Sequence, residues 1–289
     1  MRLGKNKIHF LEAPITYQGG KKRIAEKIVD IIEFEEGGYF KKGSVFNDFC
    51  SGSGAITLEV FNRYGKDVNI NMYDVAPMID FYKMCLGGTF CLDKFKSEID
   101  SIPKDKSLIR DYLKELNKSD FTIYKYLILQ SGSFGGKQIS FEIFENNYKF
   151  KNNTFRNYWM PTETSNRRSP VNPMMPMPET LYDNVSKVVV GLKSATNIKT
   201  HKVDLNVNLK YEDGINYIDP PYEDTSKYST TINNEIFYKK FEKIYISEYK
   251  KLSDDYYMVN ESSKGGINGK SKIKNRQEIL NIVKNDRQL

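Results

Sequence analysis

Val45-Phe46-Asn47-Asp48-Phe49-Cys50-Ser51-Gly52-Ser53-Gly54 is the stretch from which the fold can be read. Residues 45–48 make a short strand, and Gly52 and Gly54 follow at once, where a tight turn brings backbone close to a ligand because no Cβ intervenes. Beyond the turn, Ala55, Leu58, Val60 and Phe61 continue as a helix, and residues 68–74 form a second strand ending in Asp74. Strand, glycine turn, helix, strand is the opening of a doubly wound sheet. On the near side, Ile24, Ile28, Ile31 and Ile32 share one helical face, so a helix follows Gly19-Gly20.

Further along, the α/β rhythm breaks. Between residues 93 and 187 charged and aromatic residues alternate without a clean period, and Pro170, Pro173, Pro176 and Pro178 forbid regular structure near the end. Strand signals return at Lys187-Val188-Val189-Val190 and over 199–203, 215–219 and 243–247. After Gly265-Gly266-Ile267-Asn268-Gly269, residues 270–284 read as a final basic helix. The organisation expected is therefore α/β, with a core formed by residues 1–92 and 188–289 and an inserted, mostly helical domain at 93–187.

Composition narrows the partners. The 289 residues suit one large domain or two ordinary ones at roughly 150 residues each. Lys and Arg total 44 against 37 Asp and Glu, a formal charge of +7, and 13% of residues are aromatic. Positive charge draws phosphate while rings offer stacking faces to bases, so nucleic acid is the first partner to consider. No apolar stretch approaches the ~18 residues of a membrane span, and the first residues lead into no signal-peptide core. Three cysteines without a CxxC spacing and two histidines argue against a disulfide framework or a zinc site, and suit a reduced, cytoplasmic setting.

Two features carry chemistry. The dinucleotide fingerprint requires a third glycine three residues after Gly54, and position 57 is Thr. That disfavours a pyrophosphate-containing cofactor and leaves room for a nucleoside. Asp74 lies 20 residues beyond Gly54, the spacing at which an acidic side chain accepts hydrogen bonds from ribose hydroxyls. Asp219-Pro220-Pro221-Tyr222 is the sharper signal, because at roughly 5% usage per residue a given tetrapeptide occurs by chance in such a chain about two times in a thousand. At the carboxyl edge of a sheet, one carboxylate oxygen and one backbone carbonyl can accept both protons of an exocyclic amine. Its lone pair then returns from the ring to the nitrogen. Tyr222 can stack on the same base, a contact of ~1–3 kcal/mol.

Taken together, Pro14-Ile15-Thr16-Tyr17-Gln18-Gly19-Gly20-Lys21, residues 46–55, Asp74 and Asp219-Pro220-Pro221-Tyr222 with Thr225 and Tyr228 resemble the Dam-type DNA adenine-N6 methyltransferases. The order of the segments resembles that family too, as do Ile246-Ser247-Glu248-Tyr249 and the closing Gly-rich basic stretch. Ser133-Phe134-Gly135-Gly136-Lys137 and Asn157-Tyr158-Trp159 look most like phage and restriction-system members. The resemblance implies a Rossmann-like S-adenosylmethionine-dependent methyltransferase core with an inserted target-recognition domain. It implies that Tyr17, Lys21, Asp48, Phe49, Gly52 and Gly54 contact or shape the pocket of S-adenosylmethionine, that Asp74 holds its ribose, and that Asp204 sits near its adenine. Asp219, Pro220 and Tyr222 would hold the target adenine flipped out of double-stranded DNA. A cognate restriction endonuclease is a candidate partner, and a monomer is the expected form.

Target recognition is expected in the middle segment. Between residues 146 and 172, Lys149, Lys151, Arg156, Arg167 and Arg168 face only Glu163, interleaved with Tyr148, Phe150, Phe155, Tyr158 and Trp159. With Lys137, these basic residues are the candidate DNA contacts, to phosphates and to base edges. Residues 264–289 add a second basic stretch. Cys50 lies in the cofactor turn and lacks the Pro-Cys context of cytosine-C5 enzymes, so it reads as structural. Two alternatives stay open: an RNA guanine-N2 methyltransferase, and a catalytically silent DNA-binding relative.

Overall fold

Strand β1 (Val45–Phe49) lies at the centre of a seven-stranded sheet of order β5-β2-β1-β6-β7-β9-β8. The computed structural model describes residues 7–17, 19–105, 108–133, 136–144, 147–155, 177–206, 210–221, 237–262 and 276–285. β2 (Asn69–Asp74), β5 (Ile198–Lys202), β6 (Ile215–Ile218) and β7 (Lys243–Glu248) run parallel to β1. β9 (Arg276–Lys284) enters between β7 and β8 (Tyr256–Ser262) and runs against both. From β1 the chain moves outward through β2 to β5, then returns to β6 on β1's other side. That reversal opens a crevice at the carboxyl ends of β1 and β6, the place where open α/β sheets bind ligands.

Alternation along β1 assigns the two faces. Phe46 packs with Ile28, Val29 and Ile32 of α1 (Ala25–Glu35) and with Phe61 of α2 (Ala55–Tyr64) in the larger hydrophobic cluster. Phe49 points the other way, into a second cluster with Tyr73, Phe237, Phe241 and Ile246. Asn47 shares that face and is fully buried. Its amide donates to Asn216 Oδ1 (2.9 Å) and to the Glu212 carbonyl (2.8 Å), and accepts from Asn71 Nδ2 (3.0 Å). Asn71, Asn47 and Asn216 are register partners on three adjacent strands, so this amide row satisfies buried polar groups and fixes the pairing at once.

Between β2 and β5 the described chain forms α3 (Met78–Leu86), α4 (Leu92–Asp100), α5 (Ile109–Lys118), α6 (Ile123–Gly132), the antiparallel hairpin β3 (Phe141–Phe144) and β4 (Asn147–Phe150), and α7 (Pro178–Leu192). Phe95, Leu113, Leu127 and Leu181 from these helices belong to the same hydrophobic cluster as Phe46, so this segment shares the core of the sheet. Its hairpin is tied down by Tyr148, whose hydroxyl donates to Asp80 Oδ2 (2.8 Å) and the Val75 carbonyl (3.3 Å), while Lys202 lies over the ring and pairs with Asp80 at 3.1 Å.

Two expectations from the sequence are corrected here. Lys187-Val188-Val189-Val190 is not a strand but part of α7, because Leu181, Val185, Val188 and Leu192 bury one helical stripe and Pro178 starts the helix. That helix runs across the expected boundary at 187/188. Where described, the final basic helix is strand β9: Ile279, Leu280, Asn281 and Ile282 are all buried between two neighbouring strands, which suppresses the alternation that would have marked a strand. Tyr148, Phe150 and Phe155 are buried packing residues and offer no ring to a nucleic acid. Among the described residues no helix is long and apolar enough to cross a membrane.

Candidate active site

The turn after β1 is built for close approach. Cys50, Gly52 and Gly54 have φ of 58°, 50° and 78°, all left-handed. For Cys50, a residue with a Cβ, this conformation costs roughly 1–3 kcal/mol, a strain of the kind concentrated at functional sites. At Gly52 the turn passes beneath Tyr17, whose ring lies 3.5 Å from where a Cβ would stand. At Gly54 a Cβ would collide with the Tyr82 ring, whose hydroxyl donates to the Ser53 carbonyl at 2.6 Å. The turn is clamped from β2 as well, since Asp74 accepts from Gly52 N–H through Oδ2 and from Ala76 N–H through Oδ1, both at 2.7 Å. Burial pushes the Asp74 carboxyl up, against the pull of these backbone donors.

Asp48 ends the inner face of β1 and is 1% exposed. Its Oδ2 accepts from both the backbone N–H (3.2 Å) and the hydroxyl (2.7 Å) of Thr57, in the first turn of α2. Burial outweighs these bonds and, with the nearby Asp219 and Asp74, pushes its carboxyl up to about 7. The same carboxylates and burial hold the Cys50 thiol well above its ordinary value, so it stays protonated.

Asp219 and Pro220 leave the carboxyl end of β6, where Asp219 N–H donates to the Phe49 carbonyl at 3.3 Å. Opposite them lies Lys21, 4% exposed, with Nζ 2.7 Å from Asp219 Oδ1, 3.2 Å from Glu278 Oε1 of β9 and 2.8 Å from the Gly19 carbonyl. Burial alone would lower the pKa of this ammonium; the two carboxylates reverse that and hold it well above its ordinary value. Beneath them Tyr217 shares a 2.9 Å hydrogen bond with Ser247, both fully buried.

One open cleft lies between the glycine turn, Asp74, Lys21 and the Asp219-Pro220 edge. Of the residues expected at the site, Tyr17, Lys21, Asp48, Gly52, Asp74, Asp204, Asp219 and Pro220 line it. Phe49 and Gly54 do not: Phe49 is buried in the second cluster, and Gly54 makes room for Tyr82. Asp204 is an exposed member whose Oδ1 accepts from the backbone and side chain of Asn206, while Val75, Val203 and Leu205 give an apolar flank. Lys137, Lys149 and Lys151 are exposed, the last within 3.4 Å of Glu142. Tyr222, Arg156, Arg167 and Arg168 lie outside the described residues, as do Thr225, Tyr228, Tyr158 and Trp159.

Three participants were not anticipated. Thr57 occupies the place of the missing third glycine and uses it to hold Asp48. Gln138 lines the cleft from the segment before β3. That segment is held by the buried Gln130, whose Oε1 accepts from Ile139 N–H (2.9 Å) and whose Nε2 donates to the carbonyls of Lys137 (3.1 Å) and Thr16 (3.4 Å). Glu278 lies in β9, in a stretch whose sequence reads as a basic helix, and nothing local marks it. No protein-family model matches the chain, and no curated protein matches it.

Proposed function

We propose that this protein is a site-specific DNA methyltransferase that transfers a methyl group from S-adenosylmethionine to N6 of adenine in double-stranded DNA. The observation carrying the proposal is the convergence of the Gly-Gly-Lys segment, the glycine turn, Asp74 and the Asp219-Pro220 edge on one cleft at the carboxyl ends of β1, β2 and β6. Counting only the strands of the large sheet, the order is 3-2-1-4-5-7-6 with the seventh reversed. This is a doubly wound order with its last strand reversed, compatible with a Rossmann-like core.

The cleft suits an adenosyl ligand without phosphates. The first turn of α2 would be a ready anion site, but Asp48 already takes the Thr57 N–H there, so a pyrophosphate would meet a carboxylate. Asp74 keeps acceptor capacity beyond its backbone donors Gly52, Val75 and Ala76, enough for a ribose hydroxyl. Bound there, S-adenosylmethionine would supply an electrophilic methyl group on a cationic sulfur. The chain's part is to present the acceptor: the Asp219 carboxylate and the Pro220 carbonyl accept hydrogen bonds from the two amine N–H groups, leaving the nitrogen lone pair to attack. Lys137, Lys149 and Lys151 supply exposed positive charge for phosphates.

The test is incorporation of labelled methyl groups into duplex DNA by the purified protein, followed by nucleoside analysis, with structured RNA as a parallel acceptor. N6-methyladenine in DNA is the expected product. Its absence across varied adenine-containing duplexes overturns the proposal, and N2-methylguanine in RNA would replace it with the RNA reading.

A further inference from the structure

Glu278 reaches Lys21 because β9 runs against its neighbours. Reversal places the beginning of this strand, and not its end, beside the carboxyl end of β7, where Ile279 pairs with Glu248. Glu278 is one residue away and 12% exposed at its side chain. There its Oε1 stands 3.2 Å from Lys21 Nζ, which is also 2.7 Å from Asp219 Oδ1. A lysine ammonium has three donors, and Gly19 O at 2.8 Å gives it a third acceptor. A buried ammonium facing Asp219 alone would form a neutral pair and withdraw that carboxylate from other donors. With Glu278 present, one ammonium is divided between two carboxylates, and its hold on Asp219 is weaker than in a simple pair.

We propose that Glu278 is a positioning residue: acting through Lys21, it aims the Asp219 carboxylate and keeps it electron-rich toward the amine that Asp219 receives. This rests on the methyltransferase reading of the same cleft. When the amine nitrogen forms its bond to the methyl carbon, the carbon–sulfur bond breaks, its electron pair stays on sulfur, and the nitrogen becomes cationic until it gives up a proton to solvent water. Negative charge fixed beforehand beside that nitrogen stabilises the charge as it develops. A merely structural carboxylate would hold Lys21 in place without favouring the transition state over the bound ground state.

Glu278→Gln keeps the shape and removes the charge. The expected result is a fall in kcat of about tenfold or more, an acid limb of the kcat profile displaced to lower pH, and S-adenosylmethionine binding by calorimetry within about threefold of the wild type. In protein carrying isotope-labelled lysine, the Lys21 ammonium gives an exchange-protected resonance that Glu278→Gln weakens, a readout requiring no turnover. A variant with wild-type kcat and an unmoved acid limb overturns the proposal, as does a wild-type protein without the protected ammonium. If the variant fails to fold, Lys21→Gln is compared with Lys21→Gln/Glu278→Gln. Since Glu278 acts through Lys21, the second change costs no more than about twofold on top of the first, and a further tenfold loss is the refuting outcome. Should the wild-type protein methylate no DNA, the underlying reading fails, and the ammonium resonance still reports whether Glu278 holds Lys21.

Discussion

Thr57 holds Asp48 twice, through its backbone N–H at 3.2 Å and its hydroxyl at 2.7 Å, so the first turn of α2 is capped by a side chain of the strand that precedes it. A glycine at position 57 would have offered the same N–H to a phosphate. The hydroxyl binds the carboxylate in place and makes the helix start self-sufficient.

Stability should depend on pH through Asp48. Its carboxyl is pushed up from 3.8 to about 7 by burial, so the native state binds the proton more tightly than the unfolded chain does. The stabilisation from that proton is full below about pH 4 and is lost as pH rises through about 7. Asp48→Asn cannot ionise. Urea denaturation from pH 4 to 8 should show the wild type losing on the order of 4 kcal/mol relative to this variant. Parallel stability profiles would show that Asp48 does not titrate in this window.

Asp219→Asn should reduce methyl transfer at least about a hundredfold, because an amide oxygen accepts a proton without negative charge. Lys21 retains Glu278, so the buried ammonium keeps one carboxylate and the fold persists. Melting temperature and duplex binding, measured by calorimetry and mobility shift, are expected to change little. A variant with more than a tenth of wild-type turnover would remove Asp219 from its assigned role.

The two turn glycines should respond differently. Gly52→Ala meets only ordinary contacts with Tyr17, so its cost is the left-handed backbone, roughly 1–2 kcal/mol. Gly54→Ala adds a collision with the buried Tyr82 ring and should cost more than twice as much. Tyr82→Phe removes the nearest atom, the hydroxyl oxygen, and should recover part of the loss in the double variant. Equal costs in urea denaturation would show that Tyr82 yields freely.

Asn47→Leu is close in volume and wrong in chemistry. It leaves Asn71, Asn216 and the Glu212 carbonyl each short of a partner, for a loss of roughly 3–5 kcal/mol. Denaturant midpoints measure it directly, and a loss under about 1 kcal/mol would mean that water replaces the amide.

What the sequence revealed of this site was whatever lay close together in the chain. The Gly52/Gly54 turn, Asp74 after it and Asp219-Pro220 each sit at the end of a short apolar strand, and each lines the cleft. Helix α7 was hidden by its own β-branched run, Val188 to Val190, whose local preference lost to the stripe that buries Leu181 and Leu192. β9 was hidden by flanking lysines and by burial on both faces. Missing its direction meant missing Glu278, whose meeting with Lys21 depends on strand order and on nothing adjacent in the chain. The asparagine row was invisible for a similar reason, since Asn47, Asn71 and Asn216 become a pattern only once their strands are in register.

That row also limits how the cleft can admit anything. Sliding β1 against β6 or β2 would break the hydrogen bonds between these side-chain amides, so the row resists slippage of the three strands beneath the cleft. Thr16, beside Tyr17, and Lys137, beside Gln138, are both fastened through their carbonyls to the buried amide of Gln130, so these two walls of the entrance are anchored to a single side chain of α6.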